Sequence, residues 1–401
     1  MVVMANALIG KGFAGSLRFL LASCFMVQML VGFVGLAVPI YAANMGASPL
    51  LVGVIGAVGG LTYSYMPLVA GFLSDRVRRK SLLLAAMLVY GFACIMYLLT
   101  QTPSMLIPVK VVEWVAVATF WPSAEALLTE LSQGRIEHNL RKFNLSWGSA
   151  TIIGPIVGGA IISLLGVKTP FALSSAGSFI LALAAAAKIK EPPKGGRSLK
   201  HESAQPEAQG GKESLAPAVV AVILFSFIGG VIYNLFPAQA TSLSIPAYEI
   251  GLIMFANGLF RLAAFTQAYK IEAKIGRTRV FLAGALTLAA ASALTAASST
   301  TLLFALAFAV FGFGMGILYA SSIAHILKSR SHARGYAAGL FESLLGVGTL
   351  IGSSTGGLAS EYYTHNAPYI LCLLLSLAVA LYQGIRLLKQ KSDQNSAHAT
   401  L

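Results

Sequence analysis

A lysine and a glutamate, Lys110 and Glu113, stand three residues apart inside a long apolar run of the chain. Residues at this spacing share one face of an α-helix, so the ammonium and the carboxylate are expected to pair. If the helix begins near Ser104, Glu113 lies about 14 Å along it, close to the centre of a hydrocarbon layer about 30 Å thick. Ionisable groups at that depth are usually functional, and a carboxyl beside an ammonium suits proton coupling. The alternative is an interfacial salt bridge in a helix that starts at Pro108.

Other polar side chains interrupt the apolar runs elsewhere. Asn257 and Arg261 are four residues apart and share a helix face, and Arg261 is the one strong cation deep in the second half of the sequence. It could pair with an acid, bind an anionic group or extend towards the membrane surface. The predicted lining of a central cavity consists of Gln28, Trp114, Tyr233, Asn234, Asn257 and Arg261.

The composition indicates that the apolar runs lie in a lipid bilayer rather than in water. Of the 401 residues, 57% are hydrophobic and 10% are charged, with a mean hydropathy of +0.77. Soluble domains carry about 25% charged residues, so the partner surface is the lipid bilayer. The formal net charge of +14 does not indicate nucleic acid, because the basic residues form short clusters between apolar runs. Three cysteines, Cys24, Cys94 and Cys372, lie in apolar runs without metal-like spacing and are interpreted as packing residues.

Runs of about 20 apolar residues predict an all-α membrane protein with twelve transmembrane helices. We expect them at about 18–41, 50–73, 81–99, 104–129, 143–166, 169–188, 217–240, 248–270, 279–297, 301–325, 336–360 and 367–388. With the N-terminus in the cytoplasm, 25 of the 28 lysines and arginines fall on the cytoplasmic side. Positive residues remain inside, so both termini are expected there, in a cell membrane.

A hydrophilic stretch divides the chain into two similar halves. The predicted organisation is a six-helix bundle over 1–189, a cytoplasmic linker over 190–216, a second bundle over 217–388 and a tail over 389–401. The sequence Gly-Pro-Ile-Val-Gly-Gly at 154–159 has a counterpart, Gly-Ser-Ser-Thr-Gly-Gly, at 352–357. The offset of 198 favours duplication into two pseudo-symmetric bundles, with a substrate site where the bundles meet.

The loop after the second span reads Gly-Phe-Leu-Ser-Asp-Arg-Val-Arg-Arg-Lys at 71–80. This resembles the signature G-x-L-x-D-R-x-G-R-R/K of major facilitator superfamily transporters, with Arg78 where the family usually has glycine. The resemblance implies the major facilitator fold and a conformational latch at this loop. Asp75 would face the start of span eleven, and Arg79 would pair with Glu130. Solvated charges of an ordinary positive loop are the alternative. The latch set is Gly71, Asp75, Arg76, Arg79, Glu130 and Glu342, with Glu125 a further gate candidate.

The fifth span resembles the G-P-x-x-G-G motif of proton-coupled exporters in this superfamily. Its residues are Gly154, Pro155, Gly158 and Gly159. Glycines four apart form a flat groove for a neighbouring helix, and simple close packing is the alternative meaning of the motif. In motif content the chain is most similar to the drug:proton antiporter-like exporters.

These features together imply a secondary active transporter rather than an enzyme. We expect proton-coupled efflux of small amphipathic or hydrophobic solutes by rocker-switch alternating access, with Glu113 and Lys110 as the coupling pair and a single chain as the working unit. No cofactor or metal is expected, since an ion gradient would supply the energy. A proton-coupled or facilitative importer uses the same fold and stays open. A membrane-embedded enzyme would need clustered histidines or paired aspartates, a channel would need a repeated filter, and the sequence has neither.

Overall fold

The computed structural model describes the backbone of residues 2–132, 136–190, 214–329 and 334–399, and most of the side chains from residue 13 to residue 390. The described residues form helices and no strands. Thirteen α-helices follow in chain order: α1 Val2–Asn44, α2 Pro49–Arg76, α3 Arg79–Leu99, α4 Leu106–Leu131, α5 Ile136–Leu165, α6 Thr169–Lys188, α7 Ala216–Asn234, α8 Phe236–Ser242, α9 Ala247–Ile275, α10 Arg277–Ala296, α11 Thr301–Ser329, α12 Arg334–Tyr362 and α13 Ala367–Ala399.

Twelve membrane-length segments arise from these helices. Eleven are long and apolar enough to cross a bilayer, with α7 and α8 counting together as one segment of 27 residues. Helix α12, at 29 residues, is the twelfth by length. The all-α fold with twelve spans that the hydropathy predicts is therefore confirmed. Three of the described turns between spans use a glycine with positive φ: Gly46, Gly166 and Gly276.

The seventh span differs from its prediction as one continuous helix over 217–240. Helix α7 ends at Asn234, Leu235 joins it to α8, and Pro237 lies in the first turn of α8. Proline has no N–H to donate and its ring crowds the carbonyl of residue i−4, so the helix breaks before it. The break directly follows Tyr233 and Asn234, and the Leu235 N–H still donates to the Val231 carbonyl.

The two ends of the molecule can be defined by the contacts of the helix ends. The loop face carries the ends of α1 and α3, where the hydroxyl of Tyr41 donates to the Thr100 carbonyl. The terminal face carries the start of α1 and the end of α6, where Ser16 Oγ bonds the carbonyl of Lys188. Helices α1–α6 form one bundle and α7–α13 the other, and the principal contacts between the bundles are α2 with α12 and α5 with α9.

A pair of helix caps joins the bundles at the loop face. The Glu361 carboxylate on α12 accepts a hydrogen bond from the backbone N–H of Leu50, in the first turn of α2. Ser163 Oγ on α5 accepts one from the backbone N–H of Tyr248, in the first turn of α9. Both pairs are related by the offset of 198 residues, since 163 maps onto 361 and 50 onto 248. First-turn N–H groups have no partner within their own helix, so each bundle caps a helix of the other.

Candidate functional site

The Lys110–Glu113 pair lies within the first bundle, between α3 and α4. Lys110 Nζ is 3.0 Å from Glu113 Oε2, and the hydroxyl of Tyr97 donates to the same oxygen at 2.6 Å. The exposed fraction is 4% for Lys110, 1% for Glu113 and 0% for Tyr97. A buried carboxylate needs both a counter-charge and hydrogen bonds, and here it has them. The side chains form a complete, self-neutralised group.

The depth of the pair agrees with a span that starts near Ser104. The membrane-length segment covers Pro103–Leu131, and within it helix α4 begins at Leu106 after a single 3-10 turn over Pro103–Met105. Glu113 is seven residues into α4, about 10 Å from its start at 1.5 Å per residue. It lies closer to the middle of the 26-residue helix than to its start, whereas Lys110 lies closer to the start. The protein encloses both side chains.

Trp114 connects this buried group to the space between the bundles. Lys110 Nζ is 5.7 Å from the centre of the Trp114 ring, and the ring of Tyr63 on α2 meets the indole edge-on at 5.3 Å. The hydroxyl of Tyr63 donates to Glu342 Oε2 on α12 at 2.8 Å. The indole Nε1 of Trp114 is buried with no hydrogen-bond partner among the described residues. A continuous line of side chains thus runs from Lys110 to the opposite bundle.

Glu342 and Glu125 are carboxylates from opposite bundles. Glu342 is half-buried on α12, while Glu125 is exposed near the end of α4. The charge of Glu342 acts on Glu125, and both charges act on Tyr63. Neither carboxylate has a salt-bridge partner among the described residues. They differ in this from Glu113, whose charge Lys110 neutralises.

In the second bundle, Asn257 and Arg261 of α9 form a polar group with Tyr233 of α7. The Tyr233 hydroxyl donates to Asn257 Oδ1 at 2.6 Å and accepts from Arg261 Nη1 at 2.9 Å. Asn257 Nδ2 donates to the carbonyl of Phe308 on α11 at 3.1 Å. Asn257 is fully buried, whereas Arg261 and Tyr233 are half-buried. The three residues that the sequence placed in one cavity wall are therefore in contact.

The remaining predicted cavity residues are less closely connected. Asn234 Nδ2 donates to Ser353 Oγ on α12 at 3.0 Å, and its side chain packs against Gly56 of the first bundle. Asn234 thus lies where the bundles meet. Gln28 is half-buried on α1 and has no hydrogen-bond partner among the described residues. Phe236, which lies at the start of α8, packs against Phe304 and Phe308 and is fully buried.

The sequence model of the Major Facilitator Superfamily matches residues 20–234 and again 218–400. The chain belongs to this superfamily. Two matches, one in each half, agree with the duplicated helix pattern.

Superfamily relatives of known name are distant in sequence. Multidrug resistance protein 1 of Bacillus subtilis is 20% identical over 380 residues, covering 91% of this chain and 95% of the relative. Quinolone resistance protein NorA of Staphylococcus aureus is 20% identical over 364 residues, covering 88% and 92%. Both alignments extend over nearly the whole of each protein, so the similarity is not confined to one motif.

Solved structures with the same fold include transporters of other solutes. A mutant of the nucleoside transporter NupG gives a TM-score of 0.76 at 16% identity, covering 92% of this chain and 99% of that one. A bacterial homologue of the human lysosomal transporter Spinster, in an inward-facing and occupied conformation, gives 0.73 at 11% identity, covering 95% and 96%. These likenesses establish the major facilitator fold.

The superfamily signature loop is partly described. Arg79 Nη1 is 2.8 Å from Glu130 Oε1 and 2.7 Å from the carbonyl of Ala126, so Arg79 lies where the resemblance implies. The Arg76 guanidinium stacks 4.0 Å from the centre of the Phe72 ring. The side chain of Asp75 lies outside the described residues, as does most of the linker.

The glycine motif of α5 has two faces. A Cβ added to Gly154 would be 3.2–3.8 Å from atoms of α1 in the same bundle, and Gly158 also faces α1. A Cβ on Gly159 would be 3.2 Å from the Cα of Gly251 on α9, in the other bundle, and Pro155 faces the same glycine. The motif therefore allows close packing within a bundle and between bundles at once.

Sequence reasoning missed two tyrosines that complete these groups. Tyr97 bonds Glu113 from α3, and Tyr319 on α11 lies within electrostatic reach of Arg261, Glu342 and Glu125. Neither has a charged neighbour at helical spacing in its own span, and tyrosines are common in membrane helices. Only the packing of helices distant in sequence reveals their partners.

Proposed function

We propose that the chain is a proton-coupled exporter of small amphipathic or hydrophobic solutes. The observation that carries this proposal is Glu342, which is half-buried, accepts a hydrogen bond from Tyr63 of the other bundle and, like Glu125, has no salt-bridge partner among the described residues. Charged groups at membrane depth are costly, and they are retained where a transport cycle uses them. The names of two relatives, which are drug-resistance proteins, agree with efflux.

The coupling carboxylate has two candidates. The sequence assigns coupling to Glu113 with Lys110, whose pairing would change on protonation. The geometry favours Glu342, because it is half-buried and accepts a hydrogen bond from the neutral hydroxyl of Tyr63 in the other bundle. Proton exchange requires access from water, and Glu113 is 1% exposed. We therefore propose Glu342, assisted by Glu125, as the coupling group, with Lys110 and Glu113 as its structural support.

The proposed cycle is alternating access by rocking of the bundles. With both termini in the cytoplasm, this structure corresponds to an inward-facing state, since the reciprocal caps hold the loop face together. Closing the terminal face would bring α4 of one bundle towards α12 of the other. Two ionised carboxylates would repel each other in that movement. A proton on one of them would relieve the repulsion, and this links protonation to the conformational change.

The test is solute-dependent proton movement in proteoliposomes containing the purified chain and a pH-sensitive dye. A panel of amphipathic solutes is added under an imposed pH gradient. An exporter of this kind releases protons only when a transported solute is present, and a collapsed gradient abolishes uphill solute movement. A rate of solute movement that does not depend on the pH gradient would contradict proton coupling. Proton and solute moving in the same direction would favour the importer instead.

A further inference from the structure

Arg261 has no anionic partner among the residues that the structure describes. Its guanidinium has five N–H donors, and one of them is used by the Tyr233 hydroxyl. Its centre lies 5.8 Å from the Tyr233 ring. Asn257, one turn away, is occupied by Tyr233 and by the Phe308 carbonyl. Among the described residues no carboxylate is within salt-bridge distance of Arg261, so its remaining donors face no protein anion.

The position of Arg261 is fixed and central. It stands 14 residues from either end of α9, which covers Ala247–Ile275. A Cβ added to Gly312 of α11 would be 3.0 Å from the Arg261 backbone nitrogen, so this glycine lets the two helices approach closely. An arginine near a helix end can extend to the membrane surface, but one in the middle of a long span cannot easily do so. Its charge must be balanced locally.

An aromatic cluster lies beside Arg261 in the second bundle. Gly316 of α11 packs against the Arg261 carbonyl, and Tyr319, one turn further along α11, lies within electrostatic reach of Arg261. The Tyr319 ring lies 5.3 Å from Phe225, 6.0 Å from Phe265 and 5.1 Å from Phe341. The second bundle thus offers a cation next to an aromatic surface.

We infer that the transported solute carries an anionic group, such as a carboxylate, and that Arg261 binds it while the aromatic rings around Tyr319 hold the apolar part. This inference rests on the proposed transport function and names the chemistry of its substrate. An anionic group on the solute would supply the negative charge that the described residues do not place beside Arg261. The planar guanidinium matches an oxyanion through two N–H donors. Tyr233 and Asn257 are positioning residues that hold the guanidinium.

The experiment compares two fluorescent probes that differ by one carboxylate. They are Nε-dansyl-lysine and dansylcadaverine, its decarboxylated counterpart, and binding is followed by fluorescence anisotropy to the full chain in phosphatidylcholine nanodiscs. The wild type should bind the carboxylate probe about tenfold more tightly or better, as a charge-assisted hydrogen bond would give. Arg261→Gln should bring the ratio of affinities to about one. Arg261→Lys should keep part of the preference, and Arg279→Gln, a matched change at an exposed arginine, should keep all of it.

Equal affinities in the wild type would overturn the inference, and so would failure of the carboxylate probe to bind. A preference that survives Arg261→Gln would overturn it as well, since the anion would then bind elsewhere. The lysine variant guards against a folding defect in the glutamine variant. The binding assay needs no pH gradient. If the wild type prefers the carboxylate probe but shows no solute-driven proton flux, proton coupling is contradicted and the inferred anion subsite is still supported.

Discussion

The two bundles treat their buried charges in opposite ways. The first bundle neutralises Lys110 with Glu113 and Tyr97 and excludes water from all three. The second leaves Arg261 with neutral partners and half-buried. At the offset of 198 residues, Lys110 and Glu113 correspond to Phe308 and Phe311, which are fully buried and whose rings lie 5.8 Å apart.

The comparison separates structural charges from functional ones. Aromatic residues fill the same helix positions in the second bundle, so the architecture of a bundle does not itself require an ion pair there. Arg261 corresponds at the same offset to Tyr63, whose hydroxyl donates to Glu342 of the other bundle. Among the described residues Arg261 and Glu342 have no salt-bridge partner, whereas Lys110 and Glu113 pair with each other inside one bundle.

The largest expected effect comes from removing half of the buried pair. Glu113→Ala leaves the ammonium of Lys110 buried without a counter-ion, and we expect it to lower the free energy of unfolding by about 3–5 kcal/mol. The double variant Lys110→Met, Glu113→Leu should recover most of that loss, because an apolar pair of similar volume replaces the ions. Denaturant unfolding in mild detergent measures both. If Glu113→Ala has the same free energy of unfolding as the wild type, the buried ion pair is not a structural element of the first bundle. The proposed contrast with the second bundle would then be wrong.

A smaller change in stability is expected at Arg261. Arg261→Gln removes a hydrogen bond to Tyr233 from a half-buried position, so the free energy of unfolding should fall by about 1 kcal/mol. The same unfolding assay applies. A loss as large as that of Glu113→Ala would mean that Arg261 is a structural residue, and the second bundle would then resemble the first.

The smallest expected effect concerns the caps at the loop face. Ser163→Ala and Glu361→Gln each weaken one cap, by about 0.5–1 kcal/mol for the serine and less for the exposed glutamate. Distances between spin labels on the loop ends of α5 and α9 should shift towards an open loop face in Ser163→Ala. The double variant should shift further, since the caps act on separate helix pairs. Spin-label distances that stay unchanged in these variants would show that the caps form as a result of loop-face closure and do not stabilise it.

Much of the fold could be predicted from hydropathy alone. Long apolar runs fix the helices because a bilayer leaves the backbone no other partner. The break before Pro237 was not predicted, although proline is its cause, since many membrane helices bend at proline without ending. The start of the fourth span near Ser104 was predicted, and the structure adds that a 3-10 turn over Pro103–Met105 precedes α4.

The site was predictable only where its members share a helix. Lys110 with Glu113 and Asn257 with Arg261 are visible at spacings of three and four. Tyr97, Tyr63 and Tyr319 reach these groups from other helices, and helix packing in a membrane leaves no short-range pattern for such contacts. The carboxylates Glu342 and Glu125 were assigned to a gate, and their mutual proximity across the bundles required the structure.

The most direct test of the account compares the two carboxylate groups in one transport assay. Solute-dependent proton flux is measured in proteoliposomes for the wild type, for Glu342→Gln and for the double variant Lys110→Met, Glu113→Leu. We predict that Glu342→Gln loses proton flux at least tenfold while folding normally, and that the double variant keeps most of it. Flux that persists in Glu342→Gln and disappears in the double variant would contradict the account and assign coupling to Glu113.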